Sequence, residues 1–392
     1  MENSKDKTRR GNGEGTIVQY KDGWRACVMV GRKENGQPNR KQLYGRTRAE
    51  VVKKLNEYKA QNYMGTVAQD SKITLQKWFK TYLEEFRSND LRPSSIERYT
   101  GIYNNYIKNT NLGMSRLKDI KGTNIQAYYN SLLKQGKSPS TIKTLHKVLK
   151  AAINKAVKEG YVIINYCNNV TLPKIKSIEE IQVFTQEEQK LFLAAIEKHR
   201  LKALFILALG SGLRQGELLG LKWDKLDLVS NNVTVSNTIK RVAIHNPKKG
   251  ENKTIVLEQD PKTNYSKRTI PIPSKVAEAL IEHKKLQDKE KKFVGKAYVD
   301  NGYVFSTELG GYIDPRNLAR SYSRILESVN IPHRKFHSLR HTFATRLFEK
   351  DVPLKTVSVL LGHANIKITA DIYTHVLKDQ KTDAINKLDD LF

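Results

Sequence analysis

The spacing of apolar residues changes twice along this chain, and no single layer of secondary structure satisfies every pattern. Trp24, Ala26, Val28 and Val30 alternate with Arg25, Cys27 and Met29. Period two is the mark of a strand with one packed face and one open face. From Leu75 the repeat becomes helical: Leu75, Trp78, Phe79, Tyr82, Leu83 and Phe86 share a stripe, as do Ile96, Tyr99, Tyr103 and Tyr106. Strand-like sequence returns between about residues 226 and 272, with helical segments on either side. Over 392 residues this reads as two or three domains.

Local signals divide the chain further. Residues 1–13 read as a basic arm. Asp22-Gly23 and Asn35-Gly36 are hairpin signals, a third strand is expected near Lys41 to Tyr44, and Thr47 with Glu50 reads as a capping box opening a helix through Val51, Val52, Leu55 and Tyr58. Residues 1–66 are therefore expected to form a three-stranded sheet on one helix. Residues 67–168 read as a helical domain, with helices from Pro93, from Ile125 to Leu133 and from Ser140 to Val157, and Gly160 at a C-cap. The stretch YCNNVTLPKIKSIEEIQ, residues 166–182, loses periodicity and contains Pro173; the linker is placed at 169–182. Thr185 and Glu188 form a second capping box, opening a mixed α+β domain over 183–380. It is expected to be helical, then stranded, with Asn231-Asn232 as a turn and NPKKGENK as a hairpin tip, then helical from Ser274. In the tail, 381–392, Ala384, Ile385, Leu388 and Phe392 stand at near-helical spacing. The expected fold class is multidomain, mainly α with small β-sheets.

Charge narrows the partner. The chain has 69 Lys plus Arg against 40 Asp plus Glu, a net +29. Such an excess attracts polyanions, nucleic acid first; a solubilising surface needs a net charge of only about 2–8 in a small domain. Arg25, Arg32 and Lys41 mark the N-terminal sheet domain as a candidate DNA-binding module, with a protein-interaction module as the alternative. In the helical domain Lys143, Lys147, Lys150 and Lys155 lie opposite the apolar stripe. Two cysteines, Cys27 and Cys167, are too few for a disulfide framework or a Cys-rich zinc site. The charged N-terminus has no apolar signal region. The longest apolar stretch, Leu201 to Leu209, is too short for a bilayer and contains Lys202. A soluble, cytoplasmic protein without a membrane partner is expected.

Cutting a phosphodiester without a metal requires cations on its oxygens, a nucleophile, a proton acceptor and a proton donor for the leaving oxygen. Arg214 follows Gly210-Ser211-Gly212 at a helix break, with Glu217 three residues on to hold it. Lys262 precedes a turn in DPKTNYSKRTIPIP. His337 and Arg340 would stand about 60° apart around a helix, beside a packing stripe of Leu339, Phe343 and Leu347. His363 follows Gly362, and Tyr373 comes ten residues later on an expected helix, Thr369 to Val376. Each alone has an ordinary explanation: a surface salt bridge, a solvated lysine, a chance HxxR, a packing tyrosine.

Taken together, in the strings GLRQGEL, PKTNYSKRTIPI, HSLRHTFAT, LLGH and IYTH, they resemble the tyrosine recombinase (lambda-type integrase) family. That family's order is Arg, Lys, His-x-x-Arg, His or Trp, Tyr. The domain order upstream resembles integrases of conjugative transposons and temperate phages. The resemblance implies an N-terminal domain for arm-type sites, a core-binding domain of SAM-like type and a catalytic domain closing around double-stranded DNA attachment sites. It implies that Arg214 and Arg340 hold the scissile phosphate, Tyr373 attacks, His337 accepts a proton, Lys262 protonates the departing 5′ oxygen and His363 hydrogen-bonds the phosphate. No cofactor, metal or ATP is implied. The implied partners are a homo-tetramer on two duplexes and an excisionase or host DNA-bending protein, with the tail docking on a neighbouring subunit or packing in cis. A type IB topoisomerase and a non-catalytic DNA-binding regulator are the alternatives; the complete catalytic set argues against the second.

Overall fold

A computed structural model describes residues 15–32, 37–63, 72–174, 182–244, 252, 254–260, 267–363 and 365–370. The chain falls into two units, 1–176 and 177–392. It is mainly α, with small antiparallel sheets.

The first unit begins with a sheet in the order β1 (Thr16–Tyr20), β2 (Gly23–Arg32), β3 (Pro38–Gly45). Ala26 and Val28 are buried against α1 (Arg48–Tyr63) with Val51, Leu55 and Tyr58, as period two requires. The first hairpin turns one residue earlier than expected. Tyr20 pairs with Gly23, so Lys21-Asp22 make the turn, with Lys21 at φ 51°. Gly23 is there for close approach, since a Cβ on it would lie 2.7 Å from the Gly45 carbonyl oxygen. The Asn35-Gly36 signal and the basic arm lie outside the described residues. Thr47 Oγ1 accepts from Glu50 N at 3.2 Å, but the Glu50 carboxylate reaches back to Arg46 N at 2.9 Å, one residue before the cap. Half of that capping box forms.

The helical part comprises α2 (Leu75–Thr81) running into a π-helical turn (Tyr82–Arg87), α3 (Pro93–Tyr106), α4 (Asn111–Met114), α5 (Gly122–Lys134) and α6 (Pro139–Lys158). Trp78, Phe79, Tyr129, Leu145 and Leu149 fill its core. Trp78 satisfies its buried indole N–H by donating to Ala152 O at 2.9 Å, which makes burial of so large a ring favourable. Ile102 is the buried residue of α3, while Ile96, Tyr99, Tyr103 and Tyr106 are half-buried. Gly160, at φ 75°, lies just past the end of α6.

Residues 169–172, read from sequence as the start of a linker, pack on this core together with the residues just before them. Cys167 is buried, and Val170 and Leu172 pack on the cluster. Asn165 donates to Lys150 O and accepts from Cys167 N, and Gln126 brackets the Thr171 backbone with bonds of 2.7 and 3.2 Å. Amide side chains pin this stretch, and hydrophobic periodicity does not register them.

The second unit opens with Thr185, which accepts from Glu188 N at 3.1 Å while Glu188 accepts from Thr185 N at 2.8 Å. Then follow α7 (Gln186–Ala195), α8 (Lys202–Ser211) and α9 (Gln215–Leu219). Next come β4 (Leu226–Asp227), β5 (Asn232–Val235), the β6 (Thr238–Ala243) and β7 (Thr254–Gln259) hairpin, and β8 (Arg268–Pro271). The sheet order is β4-β5-β8, with β6-β7 separate. α10 (Ser274–Val294) restores helix, but residues 295–314 are mostly irregular, with isolated bridges Lys222 to Tyr303 and Ser306 to Tyr312. The helical stretch expected from Ser274 is therefore interrupted before α11 (Pro315–Ser328), α12 (Ser338–Phe348) and α13 (Leu354–Leu361). Phe192, Phe205, Tyr322 and Phe336 meet in the centre of this unit.

Four bonds fasten the start of the unit to α12 and the loop before it. Phe184 N donates to Thr342 Oγ1 at 3.0 Å, Arg346 Nη2 donates to Phe184 O at 2.7 Å, and Arg334 grips the Glu188 carboxylate at 2.6 and 2.8 Å. Among the described residues no helix is long and apolar enough to cross a membrane.

Replacing Trp78 with alanine should destabilise the helical part by about 3–5 kcal/mol, the usual cost of deleting a fully buried aromatic ring. Denaturant unfolding followed by far-UV circular dichroism checks this, and a loss below ~1 kcal/mol would contradict the packing.

Candidate active site

The last three residues of the sequence LLG (360–362) close α13 and supply three backbone carbonyls, each taken by a different arginine. Arg268 Nε donates to Leu360 O at 3.0 Å, Arg340 Nη2 to Leu361 O at 2.6 Å, and Arg214 Nη2 to Gly362 O at 3.5 Å. The final carbonyls of a helix lack partners within it and carry the negative end of its dipole, so guanidinium groups suit them. Gly362, at φ 64°, turns the chain out of the helix, a conformation that costs glycine least.

Arg340 sits on α12 and is 2% exposed. Its Nη1 donates to Gly212 O at 2.8 Å, at the left-handed end of α8. Two helix C-termini therefore meet at one guanidinium. Burial and then the neighbouring Arg214 pull Arg340 down to about 9, which leaves it charged at neutral pH.

Arg214 lies at the break between α8 and α9, where the sequence placed it. Glu217 holds it as expected: Arg214 Nη1 donates to Glu217 Oε1 at 2.8 Å and Arg214 N to Oε2 at 3.0 Å. Glu217 is buried and is shared with Arg268, whose Nη2 donates to Oε2 at 3.1 Å. Burial pushes the Glu217 carboxyl up, and the guanidinium groups of Arg268 and Arg214 more than offset this, leaving it below its ordinary value. Arg268 escaped the sequence reading. It lies 51 residues from Glu217, and nothing in the string RTIPI marks it as a partner.

Three imidazoles line the same region. His337 precedes the first turn of α12 and meets His341 edge-to-face, ring centroids 4.7 Å apart. His363 Nδ1 lies 2.8 Å from Thr369 Oγ1, and Thr369 is fully buried. Burial first, with neighbouring His341, Arg340 and Arg214 in support, drives His337 down to about 4. Burial and Arg340 do the same to His341, to about 4, and to His363, to about 3. All three are neutral at pH 7. A neutral imidazole beside fixed cations can accept a proton or donate a hydrogen bond without adding charge. His341 also escaped the sequence reading, although it stands one helical turn after His337 in HSLRH.

The structure thus brings Arg214, His337, Arg340 and His363 together from three separate segments: the α8–α9 break, the start of α12 and the end of α13. Lys262 and Tyr373 lie outside the described residues, as does the tail. Residues 366–370 are helical, covering the start of the helix expected from Thr369.

The DNA-binding candidates separate. Arg25 lies on the open sheet face, its guanidinium over the Tyr20 ring at 4.5 Å, with Tyr44 opposite in the register. Lys41 is opposite Val28 and therefore on the α1 face, over the Tyr58 ring at 5.6 Å. Arg40, opposite Met29, takes the place on the open face that Lys41 does not. The Arg32 side chain is outside the description. Lys143, Lys147 and Lys150 share one face of α6, whereas Lys155 pairs with Glu159 at 2.6 Å and covers Phe86.

Residues 182–380 match the phage integrase family, and residues 74–133 match the N-terminal SAM-like domain of phage integrases. A tyrosine recombinase XerC-like protein of Caldanaerobacter subterraneus subsp. tengcongensis is 47% identical, over 96% of this chain and 98% of that one. The fold resembles the Tn1549 transposon integrase in complex with transposon right end DNA, with a TM-score of 0.66 and 21% identity over 81% of this chain and 99% of that one. It also resembles a lambda integrase tetramer bound to a Holliday junction, with a TM-score of 0.54 and 19% identity over 93% of this chain and 96% of that one.

The lowered histidines give stability a definite pH dependence. An unfolded chain takes up protons on them below about pH 6.5, and the folded site refuses those protons until about pH 4. Their contribution is full above the unfolded value and is lost as pH falls through that window. The melting temperature should therefore drop between pH 6.5 and 4.5, and His337→Gln should flatten the drop. An unaltered slope in that variant would remove His337 from the set.

Proposed function

The chain belongs to the phage integrase family of tyrosine recombinases, enzymes that recombine DNA at specific sites, and we propose that it cuts and rejoins strands through a covalent phosphotyrosine on Tyr373. The observation that carries this reading is the convergence of Arg214, His337, Arg340 and His363 at the end of α13. Two guanidinium forks suit the non-bridging oxygens of one phosphate, and they are fixed before the substrate arrives, so little reorganisation is left for the transition state.

In the proposed reaction, Tyr373 Oη attacks phosphorus while its proton passes to the neutral His337. The P–O5′ bond breaks, Lys262 protonates the departing 5′ oxygen, and His363 donates a hydrogen bond to the phosphate. The product is a 3′-phosphotyrosine with a free 5′ hydroxyl. Attack by the 5′ hydroxyl of a partner strand reverses each transfer and rejoins the DNA, so the reaction consumes no ATP.

The substrate in this reading is a double-stranded attachment site. Arg25 and Arg40 on the open sheet face, and Lys143, Lys147 and Lys150 on α6, serve as DNA contacts. Residues 1–66, 67–168 and 183–380 act as arm-binding, core-binding and catalytic domains, and the tail links protomers into a tetramer on two duplexes. The reaction moves a mobile element in and out of its host DNA, in the cytoplasm, with an excisionase or host DNA-bending protein as accessory. A type IB topoisomerase is disfavoured by the near full-length recombinase relative.

A nicked duplex carrying the attachment site, from which the cut fragment diffuses away, tests the reading directly. The unaltered chain should accumulate a protein–DNA adduct; Tyr373→Phe should form none and bind the duplex within a few-fold of normal. Adduct from the phenylalanine variant would falsify the assignment. Arg340→Ala and Arg214→Ala should each slow adduct formation by ~10²–10³-fold, the usual cost of losing one transition-state donor, and normal rates in both would remove them from the site. Affinity for DNA should fall steeply with salt, by roughly 10³–10⁵ between 50 and 200 mM if 6–10 phosphates are contacted. A flat dependence contradicts phosphate-dominated binding.

A further inference from the structure

Arg268 is the arginine in this cluster that the cleavage reaction leaves without a task. Its side chain is 9% exposed, against 37% for Arg214. Each of its guanidinium nitrogens donates to a protein acceptor: Nε to Leu360 O at 3.0 Å, Nη1 to Glu217 Oε1 at 3.4 Å and Nη2 to Glu217 Oε2 at 3.1 Å. It also packs so closely on the turn before His363 that a Cβ on Gly362 would lie 2.9 Å from Arg268 Cδ.

The carboxylate it holds is the one that holds Arg214. An isolated Arg214–Glu217 pair is neutral, and a neutral pair attracts a phosphate weakly. With Arg268 the group contains two guanidinium charges and one carboxylate charge, so a net positive charge is left on the exposed member. Burial strengthens this effect, because charges in a low-dielectric site are screened less than in water.

We propose that Arg268 is a positioning residue for strand cleavage, which occupies Glu217 so that Arg214 keeps a positive charge to offer the scissile phosphate, and which locks the α13 terminus to the base of β8. The proposal rests on the cleavage reading above and adds to it a residue that never touches DNA.

The test uses the full chain, the nicked duplex and two versions of the scissile linkage: the ordinary phosphate, and a methylphosphonate that carries no charge. Arg268→Gln removes the charge and should slow adduct formation on the phosphate by roughly 10–100-fold. On the neutral linkage, which needs no net positive clamp, it should fall within about threefold of the unaltered chain. Arg268→Lys keeps the charge and should recover most of the loss. Pairing Arg268→Gln with Glu217→Gln returns a net positive charge to Arg214 and leaves no buried charge unpaired. That double variant should be faster on the phosphate than Arg268→Gln alone, a reversal that loss of structure does not produce.

Equal slowing on both linkages overturns the proposal and makes Arg268 a packing residue, as does a double variant slower than either single one. If Arg268→Gln fails to fold, the lysine and double variants carry the same comparison. An unaltered chain that forms no adduct on the phosphate sinks the cleavage reading, and this inference falls with it; adduct from the unaltered chain with linkage-independent losses sinks this inference alone.

Discussion

The end of α13 organises the second unit. Three successive carbonyls, at Leu360, Leu361 and Gly362, receive Arg268, Arg340 and Arg214 from β8, α12 and the α8–α9 break. A helix terminus buried without partners is costly; a buried guanidinium without acceptors is costlier. Each need answers the other. Gly212 closes α8 in the same left-handed way and gives its carbonyl to the other side of Arg340. A Cβ at Gly212 would stand 2.5 Å from Phe343 Cδ1, so the close approach of α8 and α12 excludes any larger residue there. Much of the unit's topology can be described as the means of delivering these chain ends to one place.

Burial sets the chemistry as well as the geometry. Arg340 keeps its charge because guanidinium remains protonated even when desolvation opposes it. Imidazole does not, and the same environment holds His337, His341 and His363 neutral. Fixed positive charge and vacant basic nitrogens therefore coexist within a few side chains of one another. An anionic phosphate placed among them would lift the histidine values, because an opposite charge nearby favours the protonated form. Proton uptake by these imidazoles would thereby follow the arrival of an anion.

The elements that sequence reveals are those specified locally. Arg214 with Glu217 spans three residues, and Thr185 with Glu188 spans three; both formed as spacing suggests. Gly362 before His363 was legible because only a tight turn explains it. The failures share a physical cause, since each involves a partner distant in the chain. Arg268 on β8 meets Glu217 on α9, 51 residues away. Gln126 pins Thr171 at a separation of 45 residues and turns apparent linker into core. Lys41 lies over Tyr58 because strand register, which composition does not contain, sets which face it joins. Gly23 resembled a turn residue, and its role is to let β3 come close.

Near its start the second unit is riveted to its own α12. Phe184 is bonded through both its N–H and its carbonyl to α12, and Glu188 is gripped by Arg334 just upstream of that helix. α12 also carries Arg340. Tension applied to the backbone at this point has no slack in which to dissipate. It arrives as a torque on the helix that carries Arg340.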